Sequence, residues 1–198
     1  MKRIVVSTAA ALALSALAAA PASAATTSGA TGTVNLSGTV APSCQALGGG
    51  NAATFGAAFD LGEMSQAGGT IRNGLSFSTS GAGNGNFQIV CSGVSPTIKL
   101  DATSLTTGGG SAPNGYAAVV TYNATVSVAT ISAANQLATK SAHLTSGAST
   151  QTVPMSSLYL ANQANNVVVT ADTFATAHST DILVAGTYAG AITVTVTP

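Results

Sequence analysis

The chain has 198 residues, of which 5% are charged and 46% hydrophobic, with zero formal net charge. An average soluble protein carries roughly 25% charged residues, so the polar surface here must come from Thr, Ser, Asn and Gln. Five Lys and Arg in the whole sequence leave no electrostatic footprint for nucleic acid and no polybasic patch for anionic lipid.

The N-terminus begins with Lys2 and Arg3, continues uncharged from Ile4 to Ala20, and reaches Pro21-Ala22-Ser23-Ala24. Positive charge, apolar core and small residues in that order predict a cleavable secretory signal peptide over residues 1–24. A membrane anchor is the other reading, but the run is Ala-rich and ends on Pro and small residues rather than on a basic flank. Export is therefore the expected localisation, with transit through a periplasm to the cell surface or the medium. Past residue 24 the charged side chains are Arg72, Lys99 and Lys140 against Asp60, Glu63, Asp101, Asp172 and Asp181. Three against five leaves a net charge of −2, too weak to keep copies apart.

Residues 25–42 read as a small-residue extension containing one alternating run, Val34, Leu36, Gly38 and Val40 against Thr33, Asn35, Ser37 and Thr39. Residues 43–198 read as one domain. Within it Phe87, Ile89 and Cys91 share a face, and Val120, Tyr122, Ala124, Val126 and Val128 alternate with small polar residues. Ile192, Val194 and Val196 do the same near the C-terminus, in a strand expected to open at Gly186 and Tyr188. Period-two alternation rich in β-branched residues predicts half-buried strands. Weaker strands are expected at Leu75–Thr79, Thr97–Leu100, Ser157–Leu160 and Val167–Thr170, and a short helix over Ser132–His143. The connectors Gly48-Gly49-Gly50, Gly81–Asn86 and Gly108–Gly115 are turn-rich. The pattern predicts an all-β, immunoglobulin-like antiparallel sandwich.

Cys44 and Cys91 are the only cysteines. In an oxidising compartment an even pair most simply forms one disulfide. A metal site is the alternative, and neither His143 nor His178 stands at ligand spacing from a cysteine or carboxylate. No nucleophile elbow, Walker A sequence or zinc-protease motif appears, so an enzyme and a cofactor are not expected. Asp60 with Glu63 reads as solvated loop carboxylates, and His178 near Asp181 as a chance pairing.

Two segments together resemble a chaperone–usher pilus subunit. Thr33–Val40 follows the family's "T-V-x-Φ-x-G-x-V" extension, with Φ hydrophobic, ahead of the first cysteine. Phe59-Asp60-Leu61-Gly62 resembles the "L-D-F-G" stretch after it, and residues 86–93 resemble the strand around the second cysteine. The ending from Gly186-Thr187-Tyr188 resembles the spore coat protein U branch, which includes the archaic pilins. Thr197-Pro198 departs from the penultimate aromatic of many pilins, and Leu61 from the expected Phe.

The resemblance implies a structural subunit of a surface fibre involved in cell adhesion, or a coat-type protein. Its sandwich would lack a strand. Val34, Leu36, Gly38 and Val40 would fill the groove of the next subunit, and Ile192, Val194 and Val196 would form one groove edge. Implied partners are other copies or related subunits, a periplasmic chaperone and an outer-membrane usher. Alternation alone fits equally a first strand paired within its own chain. A secreted carbohydrate-binding module is the competing function; with no Trp and four Tyr, the chain is poorly supplied with the aromatics that sugars stack on.

Overall fold

A computed structural model describes residues 34–47, 58–80 and 87–198. The expected signal peptide, Thr33 and the turn-rich connectors at 48–50 and 81–86 lie outside the described residues. The chain divides into two units, at Gly38–Thr39.

Among the described residues thirteen strands follow in order: β1 Cys44–Leu47, β2 Phe77–Ser78, β3 Gln88–Cys91, β4 Thr97–Ala102, β5 Leu105–Thr106, β6 Tyr116–Ala117, β7 Val119–Ser132, β8 Leu137–Thr145, β9 Gln151–Thr152, β10 Leu158–Leu160, β11 Val167–Ala175, β12 Ile182–Leu183 and β13 Ile192–Thr197. Among the described residues there is no α-helix, only a 3-10 turn at Gly108–Gly110. The fold is an all-β sandwich. A six-stranded sheet runs β10-β7-β11-β2, with β5 and β8 also on β7. A three-stranded sheet runs β13-β4-β9, and β1 pairs with β3. All pairings between strands are antiparallel except β12 with β6.

The core follows from the alternation. Val120, Tyr122, Ala124, Val126 and Val128 on β7 are buried, and so are Ile98, Leu100 and Ala102 on β4; from Tyr122 on, the β7 row shares one apolar cluster with the β4 row. Burying such side chains contributes about 1.5–3 kcal/mol each. A helix over Ser132–His143 does not form. Ser132 N–H donates to Gln136 O at 3.0 Å, Asn135 takes φ 59°, and the chain turns straight into β8. The nine-residue ladder that follows, Ile131 with Leu137 through Asn123 with Thr145, outweighs the local helical preference of this Ala-rich stretch.

The cysteines form a disulfide, with Cys44 directly opposite Cys91 in the β1–β3 ladder. Asn166, 1% exposed, ties this pair of strands to the larger sheet. Its Oδ1 accepts from Ile89 N–H at 2.8 Å, and its Nδ2 donates to Ile89 O at 2.6 Å and to Ala161 O at 2.8 Å. One side chain thus satisfies both backbone groups of a buried strand residue, as a neighbouring strand would.

Candidate functional site: a cleft between two free strand edges

The row of β4 has 0–2% exposure, yet the row beside it on β13 is only half-buried. Register sets Ile192 beside Ala102, Val194 beside Leu100 and Val196 beside Ile98, so both rows face the same interior. The core therefore thins at β13. Among the described residues β13 pairs only with β4 and β1 only with β3, which leaves one edge of each unpaired.

Both strands line the same cleft, of about 1280 Å³. Cys44 to Ala46 of β1 and Ile192 to Val196 of β13 are among its lining residues. Six of the chain's nine Phe and Tyr residues line it: Phe59, Phe77, Phe87, Tyr122, Phe174 and Tyr188. Phe59 and Phe77 approach to 4.5 Å between ring centroids, and Tyr122 stacks on Phe174 at 5.3 Å. An aromatic-lined trough flanked by strand edges that are unpaired among the described residues is a template for an added strand.

Tyr122 anchors one end of the trough. Its hydroxyl donates to Thr103 O at 2.8 Å and lies 3.3 Å from Ala191 O, the residue before β13. Burial pushes its phenol above the ordinary tyrosine range. Phe174 reaches the cleft through a bulge. Asp172 pairs with Asn123 and Ala175 with Thr121, so β11 spends one residue more than β7 over that interval. Thr173 absorbs the extra residue at φ 53°, a conformation that a β-branched side chain rarely adopts. The bulge turns Thr173 outward and Phe174 onto the core.

The last strand starts at Ile192, not at Gly186. Gly186 and Tyr188 lie in the segment that leads into it. Gly186 takes φ +152°, and a Cβ there would collide with Thr107 Oγ1. Tyr188 donates its hydroxyl to Ala117 O at 2.6 Å, which fastens the segment beside β6. Burial likewise pushes its phenol upward. Both residues line the cleft and position β13 rather than belonging to it.

Residues 34–43 form no strand, and Val34, Leu36 and Val40 are exposed by 83%, 93% and 85%. Gly38 has nothing within contact distance of where its Cβ would be.

The acidic side chains singled out in the sequence make local bonds. Asp60 accepts from Gly62 N–H, and Glu63 from the N–H and hydroxyl of Ser65, whose hydroxyl bond holds the Glu63 carboxyl below its usual range. His178 Nδ1 lies 3.4 Å from Asp181 Oδ2, and the same oxygen accepts the His178 backbone N–H, closing a local turn. Among the described residues no three His, Cys, Asp or Glu side chains converge to hold a metal, and no helix is long and apolar enough to cross a membrane.

The register of β13 makes a direct prediction. Val194→Asp sets a carboxylate against the half-covered core and should cost about 2–3 kcal/mol. Thr195→Asp, on the solvent face, should cost less than about 0.5 kcal/mol. Urea unfolding of the two variants measures the difference, and equal losses would reverse the assigned faces. Comparison of the chain with family models, characterised proteins and solved structures finds no match.

Proposed function

We propose that this chain is an exported structural subunit of a surface fibre, or of a related coat-type assembly, and that copies join by donor-strand exchange. The observation that carries the reading is the half-covered row of β13 lining a cleft that β1 also lines, each strand having one edge unpaired among the described residues. The same chain carries three exposed aliphatic side chains, Val34, Leu36 and Val40, alternating with small polar residues. Such a segment gains little where it stands. Laid along the cleft, it would cover Ile192, Val194 and Val196 and complete two ladders at once. The disulfide suits an oxidising compartment, in keeping with a signal peptide over residues 1–24 and cleavage near Ala25. A periplasmic chaperone that holds the unfilled cleft during transit, and an outer-membrane usher, would be the assembly partners.

Deleting residues 25–40 removes the donor and leaves the cleft. Truncated subunits mixed with intact ones should accept a strand but never supply one, so fibres shorten as the truncated fraction rises, measured by electron microscopy. Fibres of normal length built from truncated subunits alone would rule the mechanism out.

A further inference from the structure

We infer that Lys140 keeps the open edge of β8, which is not among the strands lining the cleft, from pairing with the β8 of a second copy, so that copies of this chain do not join sheet to sheet. Among the described residues β8 is the longest strand with a single partner, nine residues paired to β7 alone. The phase of that ladder decides which backbone groups are left over. Ser132 N–H donates to Gln136 O at 3.0 Å, so this pair, next in register to Ile131 with Leu137, is a hydrogen-bonded one. Bonded pairs alternate along antiparallel strands, so Ala138, Lys140, Ala142 and Leu144 bond to β7. The N–H and C=O groups of Thr139, Ser141 and His143 point to the open side, and among the described residues nothing bonds them.

An open edge of this length is a template for another strand, and most of the devices that blunt such an edge are missing from it. The strand holds no Pro, and its nine pairs with β7 run without the register shift of a bulge. Thr139 and His143 are exposed, and exposed Leu137 adds apolar surface at one end. His143 lies on the outer face, with its Nδ1 2.9 Å from Thr125 Oγ1. What remains is Lys140, near the middle and opposite fully buried Val128. It stands on the core-facing side of the sheet, where alternation with Ala142 and Leu144 calls for an apolar residue. An inward-pointing charge is one of the ways natural edges are kept from pairing.

The ion pair found among the described residues is His178 with Asp181, so Lys140 has no carboxylate partner there. A half-buried ammonium without a counter-ion depends on the water its long stem still lets it reach. Two β8 edges paired antiparallel over their full length would displace water from both lysines. That pairing sets Ser141 beside Ser141 of the second copy and each Lys140 beside Ala142, with the two lysines diagonal on one face. Each charge then meets an alanine and a like charge, and neither gains a partner. Strands β1 and β13, which line the cleft, carry no charged residue at all. One of the three basic residues past residue 24 therefore stands on the edge that is to stay open, and none on the two edges beside the cleft.

The test uses the full exported chain carrying Ser141→Cys as a reporter and reads cross-linking of position 141 to position 141 between copies by a short bismaleimide. With Lys140 in place the yield should be low. Lys140→Val should raise it by about thirtyfold or more, because the edge then offers an apolar, β-branched row and no charge. Lys140→Glu keeps a lone charge at the same point and should cross-link as little as the parent. Lys140→Thr, also uncharged and β-branched, replaces Lys140→Val if the latter loses its disulfide or its β-sheet circular dichroism. High yield with Lys140 in place, equal yields from Lys140→Glu and Lys140→Val, or no rise with either uncharged variant overturns the inference. Binding of a peptide copying residues 25–40, measured on the same variants, should be unchanged by Lys140→Val. Its absence would overturn donor-strand exchange and leave the role of Lys140 standing, so the two readings fail separately.

Discussion

A synthetic peptide copying residues 25–40, added to the chain from which those residues have been deleted, should raise its melting temperature by about 5–10 °C at a hundredfold excess over Kd. The magnitude follows from linkage. A ligand that binds only the folded state adds about 2.7 kcal/mol at that excess, and one kcal/mol moves a domain of this size by about 2–4 °C. The gain has a structural source in the half-buried row Ile192, Val194 and Val196, which leaves apolar surface facing the cleft until a strand covers it. A peptide carrying Leu36→Asp should give almost no shift, since an unpaired carboxylate pressed into an apolar cleft costs several kcal/mol while the peptide backbone is unchanged. Calorimetry of the same sample with either peptide separates the outcomes. Equal shifts from the two peptides would mean that the segment binds outside the cleft, and no shift from either would mean that the cleft takes no strand from this chain.

The parts of this site that were legible in the sequence are those written in period two. The faces of β13 follow from Ile192, Val194 and Val196 against three threonines, and the disulfide from two cysteines in a chain expected to be exported. The place of Phe174 in the cleft was not legible, for a physical reason. Alternation through Val167, Val169 and Ala171 sends Phe174 to the wrong face unless a bulge intervenes, and Thr173 is among the least expected residues to hold one, because its Cβ is branched. The single hint is that Phe174 would be a large aromatic on a solvent face otherwise made of small residues. Asn166 was missed for a different reason. Its partners, Ile89 and Ala161, lie 77 and 5 residues away, and no local pattern announces a side chain that takes the place of a strand. Gly186 is expected from the sequence to open the last strand, whereas it lies in the segment before it, and its closeness to Thr107 is set by tertiary packing rather than by spacing. The hairpin at Ser132–Gln136 was misread because the Ala-rich stretch favours a helix locally, whereas the long β7 ladder rewards the strand only after the chain has turned.

Replacing both cysteines, Cys44→Ala with Cys91→Ala, should lower stability by about 4 kcal/mol, the loop-entropy value for a crosslink of this span. Folded domains are stable by about 5–15 kcal/mol, so the variant should remain folded in the cold and lose much of its cooperative transition at physiological temperature. The effect on the cleft should be disproportionate. Strand β1 is four residues long and pairs with β3 alone among the described residues, so the disulfide and that short ladder are what hold this wall of the cleft in place. Ser43 and Ser92 add two bonds next to the bridge, one between backbone groups, Ser92 N–H to Ser43 O at 2.9 Å, and one to a side chain, Ser43 N–H to Ser92 Oγ at 2.9 Å, but both residues lie outside the core. Without the crosslink β1 should fray, and the incoming strand would then find one hydrogen-bonding edge instead of two. The 25–40 peptide should accordingly bind the cysteine-free chain at least tenfold more weakly than the oxidised one, about 1.4 kcal/mol, even at a temperature where both are fully folded. A stability loss with unchanged peptide affinity would show that the β1–β3 ladder alone positions the wall. Unchanged stability would mean that the unfolded chain keeps positions 44 and 91 close together without the crosslink.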